Sequence, residues 1–174
     1  MALINPVCYR EPLAPYAAAL RSGRPVNWSA IRTAFRTLST RHEFMLVEGI
    51  GGLLVPLSRR RTVVELMHLL KLPCLVVARL RLGTLNHTLL TVRHAQQQGL
   101  RVLGVVLNAA EPPSRDANAR LAERTNPRIL QACLSVPLLG VLSHRAAIAT
   151  ASPAALARWI DRIARHVRRA QTKG

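Results

Sequence analysis

The chain has 174 residues, of which 49% are hydrophobic, and this length suffices for one domain with a sizeable core. Its net charge of +17, from 25 basic and 8 acidic residues, would ordinarily suggest a nucleic acid or another anionic surface as partner. However, 23 of the 25 basic residues are arginines scattered along the chain, and the six aromatic residues are too few for a base-stacking platform. Nucleic-acid binding is therefore disfavoured as the main role, and we expect a single domain over residues 1–174.

The cysteines and the start of the chain indicate a reducing compartment. Cys8, Cys74 and Cys133 are far apart and form no CxxC pair, so neither a disulfide framework nor a zinc site is expected. Residues 1–16 have no basic region before a long apolar core, so they do not predict a signal peptide. Because no apolar run reaches the length of a membrane span, we expect a cytoplasmic protein with no membrane partner.

The spacing of apolar residues predicts alternating helices and strands. A helix is expected over 27–42, with Asn27 or Ser29 as its cap, followed by a buried strand over 44–48 that ends at Glu48. The remaining predicted elements are a helix over 62–72 capped by Thr62, a strand over 73–80, a helix over 84–99, a strand over 101–108, a helix over 115–125, a strand over 136–143 and a basic amphipathic helix over 152–170.

This order predicts the fold class and the position of a site. Continuous apolar strands separated by helices indicate a parallel sheet covered on both faces, and such sheets bind ligands beyond the carboxyl ends of their strands. Glu48, the turn from Arg79 to Gly83, Asn108 and Ser143 all fall at that edge of the predicted sheet. Their shared position is the main physical indication of a binding site.

Glu48 stands where an apolar run meets Gly49, Gly51 and Gly52. One interpretation is that the acid holds a metal ion beside backbone amides that cradle an anion. The alternative is an acid that caps a turn and faces water. The residue types alone leave both interpretations open.

Other motifs are equally ambiguous when taken singly. Gly83 and Thr84 open a helix whose free amides suit a carboxylate or phosphate, but Thr84 could simply cap it. His87 is expected to be structural, because no second histidine lies at zinc-ligand spacing. Asn108 could bind a purine edge or belong to an ordinary turn. The side chains of Arg59 to Arg61 are expected to be solvated.

In combination the motifs resemble dethiobiotin synthetase. The resemblance runs from about Asn5 to about Leu142 and is carried by four segments in the family's order and spacing: NPVCYREPLAPYAAALRSGRPVN, LVEGIGGLLVPLS, LPCLVVARLRLGTLNHTLLTVRHAQQQGLRVLGVVLN and VPLLGVL. The pairing of an EGxGG turn with an LGTxNHTLLT helix start is specific, because the sister amidoligases of cobalamin synthesis share the turn but not that helix start.

The resemblance implies an α/β fold, a doubly wound parallel sheet of the P-loop NTPase type. It also implies a ligase of biotin biosynthesis that acts as a homodimer. The family makes dethiobiotin from 7,8-diaminopelargonic acid, carbon dioxide and ATP, with Mg2+ as cofactor. The substrate forms a carbamate that ATP activates, and the second amine then closes the ureido ring.

The resemblance also assigns roles to residues. Glu48 matches the magnesium-binding acid, and Asn108 matches the residue that reads adenine. The helix start from Gly83 to Asn86 matches the one that binds the substrate's carboxylate, and in the family the second subunit of the dimer contributes this helix start. The substrate-binding matches are Asn5, Pro6, Gly51, Gly52, Gly83, Thr84, Leu85 and Asn86. The loop that lines the base is matched by Pro137, Leu138, Leu139 and Gly140.

The sequence departs from the family in several places. No GxxxxGK[ST] motif occurs, the lysine that assists the carbamate has no counterpart, and no catalytic residue is identified. Ile50, Arg81 and Ser143 replace the family's usual residues. These departures lead us to expect an N-terminally truncated form of the fold. Two alternatives stay open: a catalytically dead or split homologue acting through a partner protein, and a basic nucleic-acid-associated protein on the same fold.

We predict that this chain by itself shows no ATP-dependent ring closure. In the family, the lysine of the phosphate-cradling loop and the further lysine that assists the carbamate supply charge that stabilises the transition state. Losing both lysines and the loop raises the activation barrier by several kcal/mol. The measurement is ADP release by the purified chain with 7,8-diaminopelargonic acid and bicarbonate. Turnover at enzyme-like rates would contradict the prediction.

Overall fold

The computed structural model describes residues 3–144 together with 161, 164 and 165. These residues form two compact units that divide after Leu72. The first unit contains α1 (Pro15–Ser22), α2 (Trp28–Ser39), β1 (Pro56–Ser58), β2 (Arg61–Thr62) and α3 (Val63–Leu70). The second contains β3 (Cys74–Arg79), α4 (Thr84–Gln97), β4 (Val102–Asn108), α5 (Ala117–Cys133) and β5 (Leu138–Leu142). Within the described ranges, no helix is long and apolar enough to cross a membrane. The single domain over residues 1–174 stays a prediction.

Side-chain caps set the helix starts of the first unit. The Asn27 side chain accepts a hydrogen bond from the Ala30 amide at 2.9 Å, and α2 begins directly after it. At α3, the Thr62 hydroxyl accepts from the Val64 amide at 3.2 Å while the Glu65 carboxylate accepts from the Thr62 amide. That reciprocal bond lowers the pKa of Glu65 below its ordinary value. Both predicted caps are confirmed.

A small apolar core holds the first unit together. Val26, Leu57 and Val63 are its buried members, and half-buried aromatic and aliphatic side chains pack around them. The antiparallel β1–β2 hairpin places Leu57 in this core. Residues 59–61 are exposed, as expected, and the Arg61 guanidinium lies 4.9 Å from the centre of the Trp28 ring.

The strand predicted over residues 44–48 is wrong. These residues have no strand conformation, and the Phe44 and Leu46 side chains are 71% and 82% exposed. A strand needs a neighbour to pair its backbone N–H and C=O groups. In the part of the first unit that the structure describes, the only strand pairing is β1 with β2. The apolar run therefore has the composition of a core strand but no partner to order it.

The second unit is built on a three-stranded parallel sheet in the order β3-β4-β5. Helix α4 connects β3 to β4, helix α5 connects β4 to β5, and the two helices pack against each other. Strand β4 lies between the two others, and all its residues from Leu103 to Leu107 are buried. The α/β class with a parallel sheet is confirmed, with three of the four predicted strands present.

Helix α5 extends well beyond its predicted end near residue 125. An Asn126-Pro127 pair normally favours the end of a helix, because proline removes one backbone donor. Here the helix continues to Cys133, with Asn126 and Leu130 buried on its inner face. Packing therefore overrides the local break. The basic helix predicted over 152–170 lies outside the described residues, apart from Asp161, Ala164 and Arg165, which are helical.

Gly104 lies where β4 approaches Pro137 and Leu139 too closely for a side chain. A Cβ atom added there would lie 2.8 Å from the Pro137 carbonyl oxygen and 2.8 Å from Leu139 Cγ. Real Cβ atoms do not occupy such positions, so any larger residue would force the two strands apart.

We therefore expect Gly104→Ala to lower the free energy of unfolding by about 2 kcal/mol, the usual scale for overpacking. The measurement is chemical denaturation followed by circular dichroism. Gly52→Ala is the matched control, because a Cβ at Gly52 would meet nothing within 4 Å. Equal stability of the two variants would contradict the close packing of β4 on β5.

Candidate ligand-binding site

The carboxyl ends of the three parallel strands form one edge of the second unit, which we call the β3-β4-β5 edge. Arg79, Asn108 and Leu142 are paired across it. The Leu80 amide donates to the Asn108 carbonyl at 2.9 Å, and the Ala109 amide donates to the Leu142 carbonyl at 2.8 Å. The turn after β3, Asn108 and the residue after Leu142, Ser143, therefore lie along one edge, as predicted.

Helix α4 begins at this edge without a side-chain cap. Gly83 is the N-cap with φ +91°, a left-handed conformation that favours glycine. The Thr84 hydroxyl is hydrogen-bonded to the Thr88 hydroxyl at 3.2 Å, and both side chains are buried. The alternative that Thr84 caps the helix is thus wrong.

The uncapped helix start suits an anionic group. Leu85 is half-buried and Asn86 is exposed in the first turn, and no side chain in residues 3–144 caps the helix. Amides in the first turn of a helix lack intrahelical partners and carry the positive end of the helix dipole. Such a helix start can bind a carboxylate or a phosphate.

Asn108 presents a side-chain amide beside this helix start. It is the last residue of β4 and is half-buried, and its backbone carbonyl is held by Leu80. No hydrogen bond joins its side chain to any other group in the described ranges. A carboxamide in this state offers one acceptor and two donors to a ligand, which is the pattern that matches an adenine edge.

An ion-pair network connects the turn after β3, the segment after β4 and helix α5. The Arg81 guanidinium contacts Glu123 Oε1 at 2.5 Å, Glu111 Oε2 at 2.7 Å and the Pro112 carbonyl at 2.9 Å. Arg79 also pairs with Glu111. From the sequence, Arg81 was identified only as a departure from the family, and its acidic partners were not predicted. A signal was present, because three of the eight acids fall within residues 111–123.

The strand predicted over 136–143 is confirmed, so the family's match of residues 137–140 to a loop falls mainly on β5. Leu138 to Leu142 form β5, in which Leu138 pairs with Val105 and Gly140 with Val106. Leu139 is buried against Gly104, and the Pro137 carbonyl accepts from the Val105 amide at 2.9 Å. A role in binding the base stays a prediction for these four residues.

The remaining predicted site residues belong to the first unit. Glu48 is exposed and takes part in no ion pair among the described residues. Gly51 has φ +65°, and a Cβ there would lie 2.8 Å from Val55 Cγ2, so the turn requires glycine. Asn5 and Pro6 lie in a bend near the start of the chain. Their assignment to one site with residues of the second unit stays a prediction.

Glu48 is compatible with one kind of metal site only. The described part of the chain contains no group of three or more His, Cys, Asp or Glu residues placed to hold a metal ion. A site built entirely from protein ligands is therefore not formed by these residues. Mg2+, however, is commonly held by one or two carboxylates together with substrate phosphates and water. An exposed carboxylate without an ion-pair partner fits that requirement.

Comparison with known proteins gives consistent matches. A family model described as AAA domain matches residues 1–152. The chain is 42% identical over 138 residues to the ATP-dependent dethiobiotin synthetase BioD of Bacillus licheniformis. It is 36% identical over 149 residues to the BioD of Thermodesulfovibrio yellowstonii, and 50% identical over 119 residues to that of an Anaeromyxobacter dehalogenans strain.

These matches cover most of this chain but only part of each relative. The aligned regions span 79%, 82% and 67% of the chain, and 57%, 60% and 53% of the three relatives, in the same order. The chain thus spans somewhat more than half the length of the curated relatives it matches. The resemblance to dethiobiotin synthetase is confirmed.

Proposed function

Because this chain belongs to the AAA domain family and is homologous to ATP-dependent dethiobiotin synthetases, we propose that it contributes to dethiobiotin formation in biotin biosynthesis. The reaction is the ATP- and Mg2+-dependent carboxylation and ring closure of 7,8-diaminopelargonic acid. One observation carries the proposal: the LGTLNHTLLT segment forms an uncapped helix start beside Asn108 at the β3-β4-β5 edge. Both features lie within the region shared with these relatives.

The proposed substrate contacts follow from the chemistry of each group. Within the helix start from Gly83 to Asn86, the Thr84 amide is already bound by the Arg81 carbonyl, and the free amides of the other three residues bind the substrate's carboxylate. In the family a second subunit provides this helix start, so we propose a homodimer. Gly51 and Gly52 lie in a turn that admits no larger side chain at Gly51, which suits close approach of a ligand to the backbone. Asn5 and Pro6 complete the proposed substrate contacts.

The proposed nucleotide contacts centre on Asn108. Its carboxamide can pair with both a donor and an acceptor of adenine, which selects ATP by its base. Pro137 and Leu138 to Gly140 are the family's other matches to the base-binding region. Because Leu139 is buried in β5, we propose that this segment packs beneath the base-binding region without touching the base. Asn108 makes the direct contact with adenine.

Glu48 is the residue that would hold Mg2+. When bound, Mg2+ supplies positive charge that offsets the charge on the phosphates of ATP during transfer. Glu48 itself contributes a carboxylate oxygen, the ligand that a hard cation prefers. The 174 residues contain no GxxxxGK[ST] loop, so full ring closure requires a phosphate-binding loop supplied from outside this sequence.

The alternative roles receive no support from the comparisons. The described arginines nearest to the β3-β4-β5 edge, Arg79 and Arg81, are paired with Glu111 and Glu123 and are not arrayed for a nucleic-acid backbone. The named relatives are ATP-dependent synthetases, which favours an enzymatic role over a purely structural one.

The proposed carboxylate contact predicts that the chain binds a diamine with a carboxylate more tightly than one without. We expect the chain to bind 7,8-diaminopelargonic acid at least about tenfold more tightly than 2,3-diaminononane, which has the same vicinal amines but a methyl group in place of the carboxylate. A charge-assisted hydrogen bond to helix-start amides accounts for a difference of this size. Isothermal titration calorimetry measures both affinities. Equal binding of the two ligands, or no binding of either, would contradict the assignment.

The metal assignment predicts the effect of Glu48→Gln. The substitution keeps the size of the side chain but removes the charge, so we expect the gain in ATP affinity on adding Mg2+ to disappear. Nucleotide titrations with and without Mg2+ measure this, and a melting curve checks that the fold is intact. If Glu48 only caps a turn, the variant will instead lose a little stability and keep its response to Mg2+.

A further inference from the structure

We infer that Arg81 is a positioning residue for Asn108: it fixes the path of residues 109–114, the segment that leaves β4 directly after Asn108. The inference rests on the proposed function only in naming adenine as the group that Asn108 binds. The positioning itself is a property of the second unit and is measurable without any ligand.

Arg81 is hydrogen-bonded to groups from several parts of the second unit. Its guanidinium reaches Glu111 and the Pro112 carbonyl on the segment after β4, and Glu123 on α5. Its own carbonyl accepts from the Thr84 amide at 3.1 Å and from Asn126 Nδ2 at 3.2 Å. One residue thus connects the turn after β3, the start of α4, the segment after β4 and α5.

Apart from the bonds to arginine side chains, few hydrogen bonds hold residues 109–114 in place. The segment has no regular secondary structure. The Ala109 amide binds the Leu142 carbonyl, and the Ser114 amide donates to Glu123 Oε2 at 3.3 Å. Glu123 therefore holds Arg81 with one oxygen and the end of the segment with the other. Between Ala109 and Ser114, the hydrogen bonds to Glu111 and Pro112 come from arginine side chains.

The ion pair between Arg81 and Glu123 is shielded from solvent. The Arg81 and Glu123 side chains are only 24% and 12% exposed, whereas Arg79 is 59% exposed. Removing one member of a shielded pair leaves the other charge without compensation, while an exposed pair contributes little. Arg81 also uses the planar fork of its guanidinium to serve three acceptors, and a lysine ammonium lacks that geometry. Arg81 is therefore expected to hold the segment after β4 more firmly than Arg79 does.

The consequence for the site follows from chain connectivity. The backbone around Asn108 is held by strand hydrogen bonds, because its carbonyl accepts from the Leu80 amide and the next amide donates to the Leu142 carbonyl. Its carboxamide has no hydrogen-bond partner among the described residues, so its orientation is limited by the packing around it, and the segment after β4 begins at the next residue. Releasing the segment after β4 would broaden the orientations of the Asn108 carboxamide. A ligand held by that carboxamide would then bind more weakly, although Arg81 need not touch it.

The experiment compares Arg81→Gln and Arg81→Lys with Arg79→Gln, the matched control that removes an exposed arginine from the same acid. Hydrogen exchange of the peptide covering residues 109–116 reports the segment without ligand, and Mg-ATP titration reports the site. For Arg81→Gln we expect exchange to be faster and ATP affinity weaker, each by about tenfold. Arg81→Lys should fall between Arg81→Gln and wild type, and Arg79→Gln should stay within about twofold of wild type.

The outcomes separate the two proposals. Unchanged exchange in Arg81→Gln overturns the positioning role, and faster exchange with unchanged ATP affinity overturns its link to Asn108. A wild-type chain that binds no ATP overturns the proposed function and the adenine contact, while faster exchange would still support the role of Arg81 in holding the segment. If Arg81→Gln fails to fold, Arg81→Lys provides the same test, because it keeps the charge and loses only the fork.

Discussion

Strand β4 hydrogen-bonds to a parallel neighbour on each side, and its interior residues are buried on both faces. The rest of the second unit depends on this pairing. Parallel strands end at the same edge, so the pairing brings the turn after β3, Asn108 and the residues after β5 together. Gly104 makes the pairing with β5 possible, since no Cβ fits between β4 and Leu139. The candidate site is therefore a consequence of sheet topology rather than of any single motif.

Charge at this edge is organised locally in a chain that has a large excess of arginine. Glu111 and Glu123 both contact Arg81, whose own carbonyl binds the Thr84 amide. Among the described residues, no side chain caps the start of α4, and the Asn108 carboxamide has no hydrogen-bond partner. Ion pairs of this kind add little to stability when exposed, but they fix geometry when they are shielded and multiply bonded. The acids thus contribute more to the shape of the edge than to the overall charge balance.

The elements that sequence reasoning predicted are those whose signals are local. Capping residues fixed the starts of α2 and α3, and continuous apolar runs with flanking helices identified β3, β4 and β5. The run at residues 44–48 had the same composition but no strand to pair with, so it is exposed. Helix α5 shows the converse, because the burial of Leu130 carries it past Pro127. In both cases the deciding contact is distant in sequence.

The candidate site divides in the same way. The sequence by itself determined the family, the glycine-acid turn, the helix start at Gly83 and the strand end at Asn108, because these depend on residue type and spacing along the chain. Only the tertiary structure decided that Thr84 binds Thr88 instead of capping α4, and that Arg81 joins Glu111 to Glu123. Each of these depends on which groups meet in space, and a side chain's choice among several hydrogen-bond partners is set by packing rather than by its neighbours in sequence.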